Sequence, residues 1–198
     1  MVAGYHLIWT AYGWWLPNDP RDSTSRGVAV KPIAQLGPHH FGRKVDQPSS
    51  REIREFYDRA EKVLKHQLLT FDDEDIECIA CGFARTIQTR RYTCYACAIM
   101  PDHVHVLIRK HRDKGEQMID DLQQESRCAL VTGERRAADH PVWGGPGWKV
   151  FQNSQRQIET TIEYIRQNPM KIDRPVQEWG FVKKYDGWLP GSPFQPRR

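Results

Sequence analysis

The chain has 198 residues, of which 39% are hydrophobic and 27% are charged. Together with a mean hydropathy of −0.70, these proportions are typical of a globular protein with a polar surface, and no apolar run is long enough to span a membrane. The first residues lack the basic and cleavage-site features of a secretory signal, so we expect a cytoplasmic protein. The net charge of +4 favours a polyanionic partner only weakly.

Hydrophobic periodicity predicts an α+β protein whose strands pair as an antiparallel sheet. Alternating or β-branched runs predict strands over 5–11, 92–99, 103–109 and 149–152. Amphipathic runs with capping residues predict helices over 50–69, 73–90, 116–131 and from Ser154 to Asn168. The short turn Met100–Pro101–Asp102 makes the second and third strands antiparallel neighbours.

Two segments fall outside this pattern, although we expect residues 1–198 to form a single domain. Residues 17–50 are punctuated by proline and glycine and predict a long loop insertion near the N-terminus. Residues 172–198 predict a C-terminal tail. The insertion contains His39 and His40, which are only a weak sign of a metal site.

Four of the five cysteines are paired as Cys78-x-x-Cys81 and Cys94-x-x-Cys97, a spacing also found in structural zinc sites. Residues three apart in a strand face opposite sides, and the helical pair lacks the glycine-rich knuckles of zinc ribbons. We therefore favour reduced thiols. A zinc-stabilised nucleic-acid-binding protein remains the alternative interpretation of these cysteines.

His103-Val104-His105 is the most informative feature of the chain. In a strand, residues two apart lie on the same face, so both imidazoles project together while Val104 and Val106 face the core. Two neutral imidazoles can hold a divalent ion. Because two histidines at this spacing also occur by chance, the pair alone is weak evidence for a metal.

The last helix carries a polar edge beside its apolar stripe. The stripe consists of Ile158, Ile162 and Ile165, and Tyr164 and Asn168 lie at its margin, four residues apart. The edge contains Gln157, Thr161, Tyr164 and Asn168. Tyr164 could reach a group on the sheet, or it could be structural, with a packed ring and a solvated hydroxyl.

Basic and aromatic residues predict contacts with nucleic acid, although a solvated charged surface would show a similar cluster. The basic candidates are Arg85, Arg90, Arg91, Arg109, Lys110 and Arg112. Trp15 and Trp188 lie in the similar segments 12–20 and 185–193, a likeness that coincidence explains best. Their rings could stack on bases or cover the edges of the core.

Three segments, residues 5–10, 100–108 and 163–171, resemble the HUH-type single-tyrosine transposases, in particular the REP-associated tyrosine transposase group. The resemblance covers most of the chain. It implies an antiparallel sheet with helices on one face, the ferredoxin-like or RRM-like HUH fold. It also implies that His103 and His105 bind Mg²⁺ or Mn²⁺, with Asn168 as the third ligand, and that Tyr164 is the nucleophile.

The same resemblance implies an enzyme that cleaves and rejoins single-stranded DNA through a 5′-phosphotyrosine intermediate, at hairpin-forming sequences. Such a protein would be nucleoid-associated, and either a monomer or a homodimer. A non-catalytic single-stranded nucleic-acid-binding module on the same scaffold is the main alternative. A hydrolase in which the two histidines activate water would need more carboxylates near them.

Overall fold

The structure is a computed structural model that describes residues 1–21, 23, 31–39 and 46–191. His40 and Pro193, which the sequence motifs include, lie outside the described residues. In chain order the elements are β1 Gly4–Thr10, α1 Lys31–Ala34, α2 Ser50–Glu61, α3 Asp73–Arg90, β2 Cys94–Ile99, β3 His103–Arg109, α4 Gly115–Thr132, β4 Trp148–Gln152, α5 Gln155–Gln167 and a 3₁₀ turn at Pro169–Ile172.

The four strands form one antiparallel sheet in the order β2-β3-β1-β4. Helix α3 lies between β1 and β2 in sequence, and α4 lies between β3 and β4. Each connection therefore passes over an intervening strand, which is the βαββαβ arrangement of ferredoxin-like folds. The predicted α+β class and its antiparallel sheet are confirmed.

Helices lie on both faces of this sheet. Helices α3 and α4 pack on each other and cover one face, formed by Leu7, Trp9, Val104, Val106 and their neighbours. These two helices match the predicted sheet with helices on one face. Helix α5 packs on the opposite face, against β2 and β3, where Ile158 and Ile165 are completely buried. The sheet is thus the middle layer, and α5 is an addition to the two-layer unit.

Local signals locate the starts of the four longer helices accurately but not every end, and the short helix α1 lies where a loop was predicted. The Ser49 side chain accepts a hydrogen bond from the backbone of Glu52, whose carboxylate bonds back to Ser49, so α2 begins with a capping box. The predicted helix 50–69 instead ends at Glu61. Beyond it, Leu69 donates its backbone N–H to Tyr12 at 3.1 Å, and this contact carries the chain away from the helix axis.

A β-bulge corrects the prediction that Cys94 and Cys97 face opposite sides. The pairing of β2 with β3 shifts between Cys94 and Ala96, and the extra residue turns both thiols toward the core under α3 and α4. All five cysteines are free thiols. Among the described residues, no three His, Cys, Asp or Glu side chains are grouped to hold a metal ion, so the zinc interpretation gains no support.

Part of the predicted insertion and the residues that flank it form a small layer of their own. Leu16 and Leu36 pack against Phe56, Tyr57 and Ala60 of α2, beside the main sheet. No helix within the described ranges is both long enough and apolar enough to cross a membrane.

We expect Gly82→Ala to lower the free energy of unfolding by about 1–3 kcal/mol, because α3 and α4 touch through their backbones at this point. A Cβ on Gly82 would lie 2.6 Å from the Ser126 Cα. At an open helical position the same change would stabilise by roughly 0.5–1 kcal/mol. Urea denaturation measures whether the free energy of unfolding falls or rises. Gly180→Ala, which meets nothing within 4 Å, is the control, and a stabilised Gly82→Ala would contradict the close approach.

Candidate active site

His103 and His105 lie side by side on β3, on the sheet face covered by α5. Their ring centres are 4.9 Å apart and the rings are perpendicular. His105 is only 5% exposed, whereas His103, at the first position of the strand, is partly open to solvent. We call this side of the sheet the His face.

His6 of β1 is a third histidine on the His face, and no sequence pattern identified it as a site residue. In the β1–β3 register, Ile8 pairs with His105 and His6 pairs with Leu107, so His6 is the diagonal neighbour of His105. Its Nε2 lies 2.9 Å from His105 Nδ1. If His105 carries its proton on Nδ1 and donates it to His6, the lone pair of His105 Nε2 is left for a ligand.

Burial keeps this histidine pair neutral at pH 7. It lowers the pKa of His6 to about 4. Burial also lowers the pKa of His105 well below its ordinary value, and the neighbouring His103, His6 and Lys171 add to this electrostatically. Neutral imidazole is the form that binds metal ions.

Asp102, which the sequence places in the turn between β2 and β3, also contacts the site. Its Oδ1 lies 2.6 Å from His103 Nδ1. Strand alternation does not direct Asp102 to the other face, because it precedes β3 and belongs to the turn closed by the hydrogen bond from Met100 N–H to His103 O. A carboxylate on Nδ1 leaves His103 Nε2 as the ligating atom, as in many metal-binding histidines.

Tyr164 projects from α5 over the histidines. Its ring centre is 5.4 Å from that of His105 and 6.0 Å from that of His6. The side chain is 43% exposed, because Tyr164 lies at the edge of the stripe that buries Ile158 and Ile165. The phenol is therefore held beside the imidazoles and remains accessible to a large substrate.

Asn168 caps the C-terminus of α5 directly below Tyr164 and is almost completely buried. Its Nδ2 donates to the backbone oxygen of Tyr164 at 3.1 Å. Its Oδ1 accepts a hydrogen bond from the Lys171 ammonium at 3.0 Å. The same ammonium lies 4.3 Å from the centre of the Tyr164 ring.

These side chains suit a divalent ion only as a mixed donor set. Nε2 of His103 and of His105 are free of the hydrogen bonds that fix the two rings. The described residues place no third His, Cys, Asp or Glu in a metal-holding group with them. Further ligands would have to be the amide oxygen of Asn168 or oxygens of a substrate and solvent, which manganese and magnesium accept.

Trp15, just before the insertion, forms one wall of the site. The Trp15 ring centre is 5.5 Å from that of His103, and the Arg21 guanidinium lies 3.8 Å above the indole. Buried Asp19 bonds both Arg21 and the Tyr57 hydroxyl, and Tyr57 in turn accepts the Trp15 backbone N–H at 3.0 Å. This network holds Trp15 at a φ of 50°, a left-handed conformation that is costly for a non-glycine residue.

The predicted basic residues divide between the two sides of the sheet. Arg109 ends β3 on the His face, and its guanidinium stacks 3.6 Å above the Trp188 ring. Arg85 and Arg90 belong to α3 on the other side, where they pair with Glu125 at 3.5 Å and Asp121 at 2.8 Å. The remaining candidates lie at the end of α3 or after β3, and they are Arg91, Lys110 and Arg112.

Half of the His face is open. Helix α5 packs on β2 and β3, so over β1 and β4 the side chains of Trp148 and Val150 are 47% and 40% exposed. Trp148 pairs with Ile8, which pairs in turn with His105. Sequence reasoning missed Trp148, as it missed His6 and Lys171, because each joins the site through pairing or a turn.

No protein-family model matches the chain, and no curated protein matches it. One solved structure that matches is that of a REP-associated tyrosine transposase bound to a REP hairpin. It is 9% identical, with a TM-score of 0.46, and the match covers 86% of this chain and 68% of that chain.

We expect His6→Ala to weaken Mn²⁺ binding roughly 10–100-fold, since it removes the group that orients His105. Titration followed by the EPR signal of free Mn²⁺ measures the affinity. His66→Ala is the control, because His66 is half-buried and contacts the rings of Tyr12 and His140 instead. Equal affinities for wild type and His6→Ala would show that His6 does not orient a ligand.

Proposed function

We propose that the protein is a metal-dependent strand transferase that cleaves and rejoins single-stranded DNA through a phosphotyrosine intermediate. The observation that carries the proposal is the position of Tyr164, whose accessible ring lies 5.4 Å from that of the buried His105. A nucleophile beside two imidazoles that can hold a divalent ion matches the needs of phosphoryl transfer. The resemblance to single-tyrosine transposases concerns these same residues.

In the proposed reaction, the Tyr164 oxygen attacks the phosphorus of a phosphodiester. The new bond joins tyrosine to the 5′-phosphate, the bond from phosphorus to the 3′-oxygen breaks, and the phenol proton passes to solvent while the 3′-oxygen is protonated. Attack by a second 3′-hydroxyl on the phosphotyrosine reverses the step and rejoins the DNA. The energy of the phosphodiester is retained, so no nucleotide cofactor is consumed.

His103 and His105 would hold Mg²⁺ or Mn²⁺, with Asn168 as a third ligand. When bound, such an ion polarises the phosphodiester and offsets its negative charge. Asp102 and His6 would orient the two imidazoles through their hydrogen bonds at Nδ1. The buried isoleucines of α5 keep Tyr164 at the correct side of the helix.

Single-stranded DNA suits the His face because several aromatic rings lie on it or at its border. Trp15 borders His103, and Trp148 is exposed on the open half of the His face. Aromatic rings stack on any base. Arg109 with Trp188 extends the surface along β3, and we assign the basic residues on the α3 side to the long-range attraction of a polyanion. A hairpin with single-stranded flanks is the proposed substrate.

The test is the formation of a covalent adduct with labelled, hairpin-bearing single-stranded DNA in the presence of Mn²⁺. We expect an adduct that survives denaturation in the wild type and is absent from Tyr164→Phe, which lacks the attacking oxygen. Tyr5→Phe is the matched control, because Tyr5 lies on the opposite sheet face against Phe151. It should form the adduct normally.

Other outcomes of this assay would contradict the proposal. DNA binding without any adduct across diverse hairpins would support a non-catalytic binding module. Cleavage without an adduct would support a hydrolase in which the histidines activate water. An adduct that persists in Tyr164→Phe would assign the chemistry to another nucleophile.

We expect Trp15→Ala and Trp148→Ala each to weaken single-stranded DNA binding by about 5–150-fold, the range for loss of one stacked base. Fluorescence anisotropy with a labelled oligonucleotide measures the affinity. Arg85→Ala, on the α3 side and paired with Glu125, should weaken binding less than either change. A larger loss in Arg85→Ala would place the DNA on the other side of the sheet.

A further inference from the structure

Lys171 stands out because it contacts two groups of the proposed site at once. Its ammonium donates to Asn168 Oδ1 at 3.0 Å and lies 4.3 Å from the centre of the Tyr164 ring. The 3₁₀ turn that starts at Pro169 brings it there, since the Lys171 backbone N–H bonds to the Asn168 carbonyl oxygen at 3.1 Å. The backbone therefore returns Lys171 to the end of α5.

The amide of Asn168 has a defined orientation in this arrangement. Its Nδ2 bonds to the backbone oxygen of Tyr164, so Oδ1 is the atom turned toward the ammonium. That oxygen is the same atom that would serve as the third metal ligand. A lysine ammonium has three hydrogen-bond donors and no acceptor. It therefore binds the Asn168 Oδ1 lone pairs that a metal ion would also bind.

The Lys171 ammonium lies 4.3 Å from the centre of the Tyr164 ring, and that ring centre lies 5.4 Å from the ring centre of His105. A divalent ion held by His105 would therefore be close enough to the ammonium for the two positive charges to repel each other. Lys171 is exposed apart from these contacts, and its four-carbon side chain can swing into solvent. The ammonium can therefore leave without any change in the fold.

We propose that Lys171 is a built-in competitor of the divalent ion, holding Asn168 and Tyr164 until the ion displaces its ammonium, which then turns to a phosphate of the DNA. The inference rests on the proposed function, because it concerns the same Asn168 and Tyr164. Metal binding and phosphate binding would thus be coupled, because the bound metal ion releases the Lys171 ammonium, which can then bind a phosphate beside Tyr164. The site would thus exchange one cation for another rather than fill an empty position.

Mn²⁺ titration of the whole protein without DNA, followed by EPR, tests the competition. Lys171→Met keeps most of the side-chain length and removes the charge, so we expect it to bind Mn²⁺ about tenfold more tightly than wild type. Lys171→Arg keeps the charge and should stay close to wild type. Lys184→Met, an exposed lysine outside the site, should change the affinity less than about twofold.

The outcomes separate this inference from the proposed function. Tight binding by Lys171→Met that is lost again in the Lys171→Met, His105→Ala double variant supports the competition. Wild-type binding that depends on His105 but is unchanged or weaker in Lys171→Met overturns the competition and leaves the metal site standing. If neither wild type nor Lys171→Met binds Mn²⁺, both the competition and the metal dependence are wrong.

A second measurement checks the role of the displaced ammonium. At saturating Mn²⁺, we expect Lys171→Met to form the Tyr164 adduct more slowly than wild type although it binds the ion more tightly. A loosened structure would weaken metal binding and adduct formation together, so the opposite signs are diagnostic. Adduct formation at the wild-type rate would overturn the phosphate-binding role.

Discussion

The antiparallel pairing of β1 with β3, in the register that sets Ile8 opposite His105, is the constraint on which the site depends. Because side chains alternate along a strand, a slip of β3 by one residue would move both His103 and His105 to the other face. Burial of Leu7, Trp9 and Val106 on the α3–α4 side opposes such a slip. The same register places His6 beside His105, so the strand pairing that packs the core also assembles the site.

Helix α5 packs on the sheet formed in this register and so fixes the position of Tyr164. Its rotation is set by burial of Ile158 and Ile165 on the His face, which leaves Tyr164 at the margin and Asn168 at the buried C-terminus. Pro169 then starts the 3₁₀ turn that returns Lys171 to the same place. Three polar groups of the site thus follow from the phase of one amphipathic helix and the way it ends.

The segment around Trp15, which leads into the N-terminal insertion, shows how a strained backbone conformation is maintained. Trp15 has a positive φ, which disfavours a bulky residue by about 1–3 kcal/mol. The buried carboxylate of Asp19 and the hydroxyl of Tyr57 hold the surrounding backbone, and Arg21 covers the indole. Contacts with Asp19 and Arg21 of the insertion and with Tyr57 of α2 offset the strain at Trp15, and the Trp15 ring borders His103. The insertion is thereby connected to the site.

The sequence by itself determined the type of the four strands and of the four longer helices, the side on which His103 and His105 lie, and the margin that carries Tyr164 and Asn168; the short helix α1 lies where a loop was predicted. Those features follow from periodicity and capping, which act between residues near one another in the chain. Tertiary structure decided the rest: the bulge at Cys94, the early end of α2 and the approach of His6. Strand register, bulges and side-chain hydrogen bonds depend on contacts between distant segments, and no local pattern specifies which segments will meet.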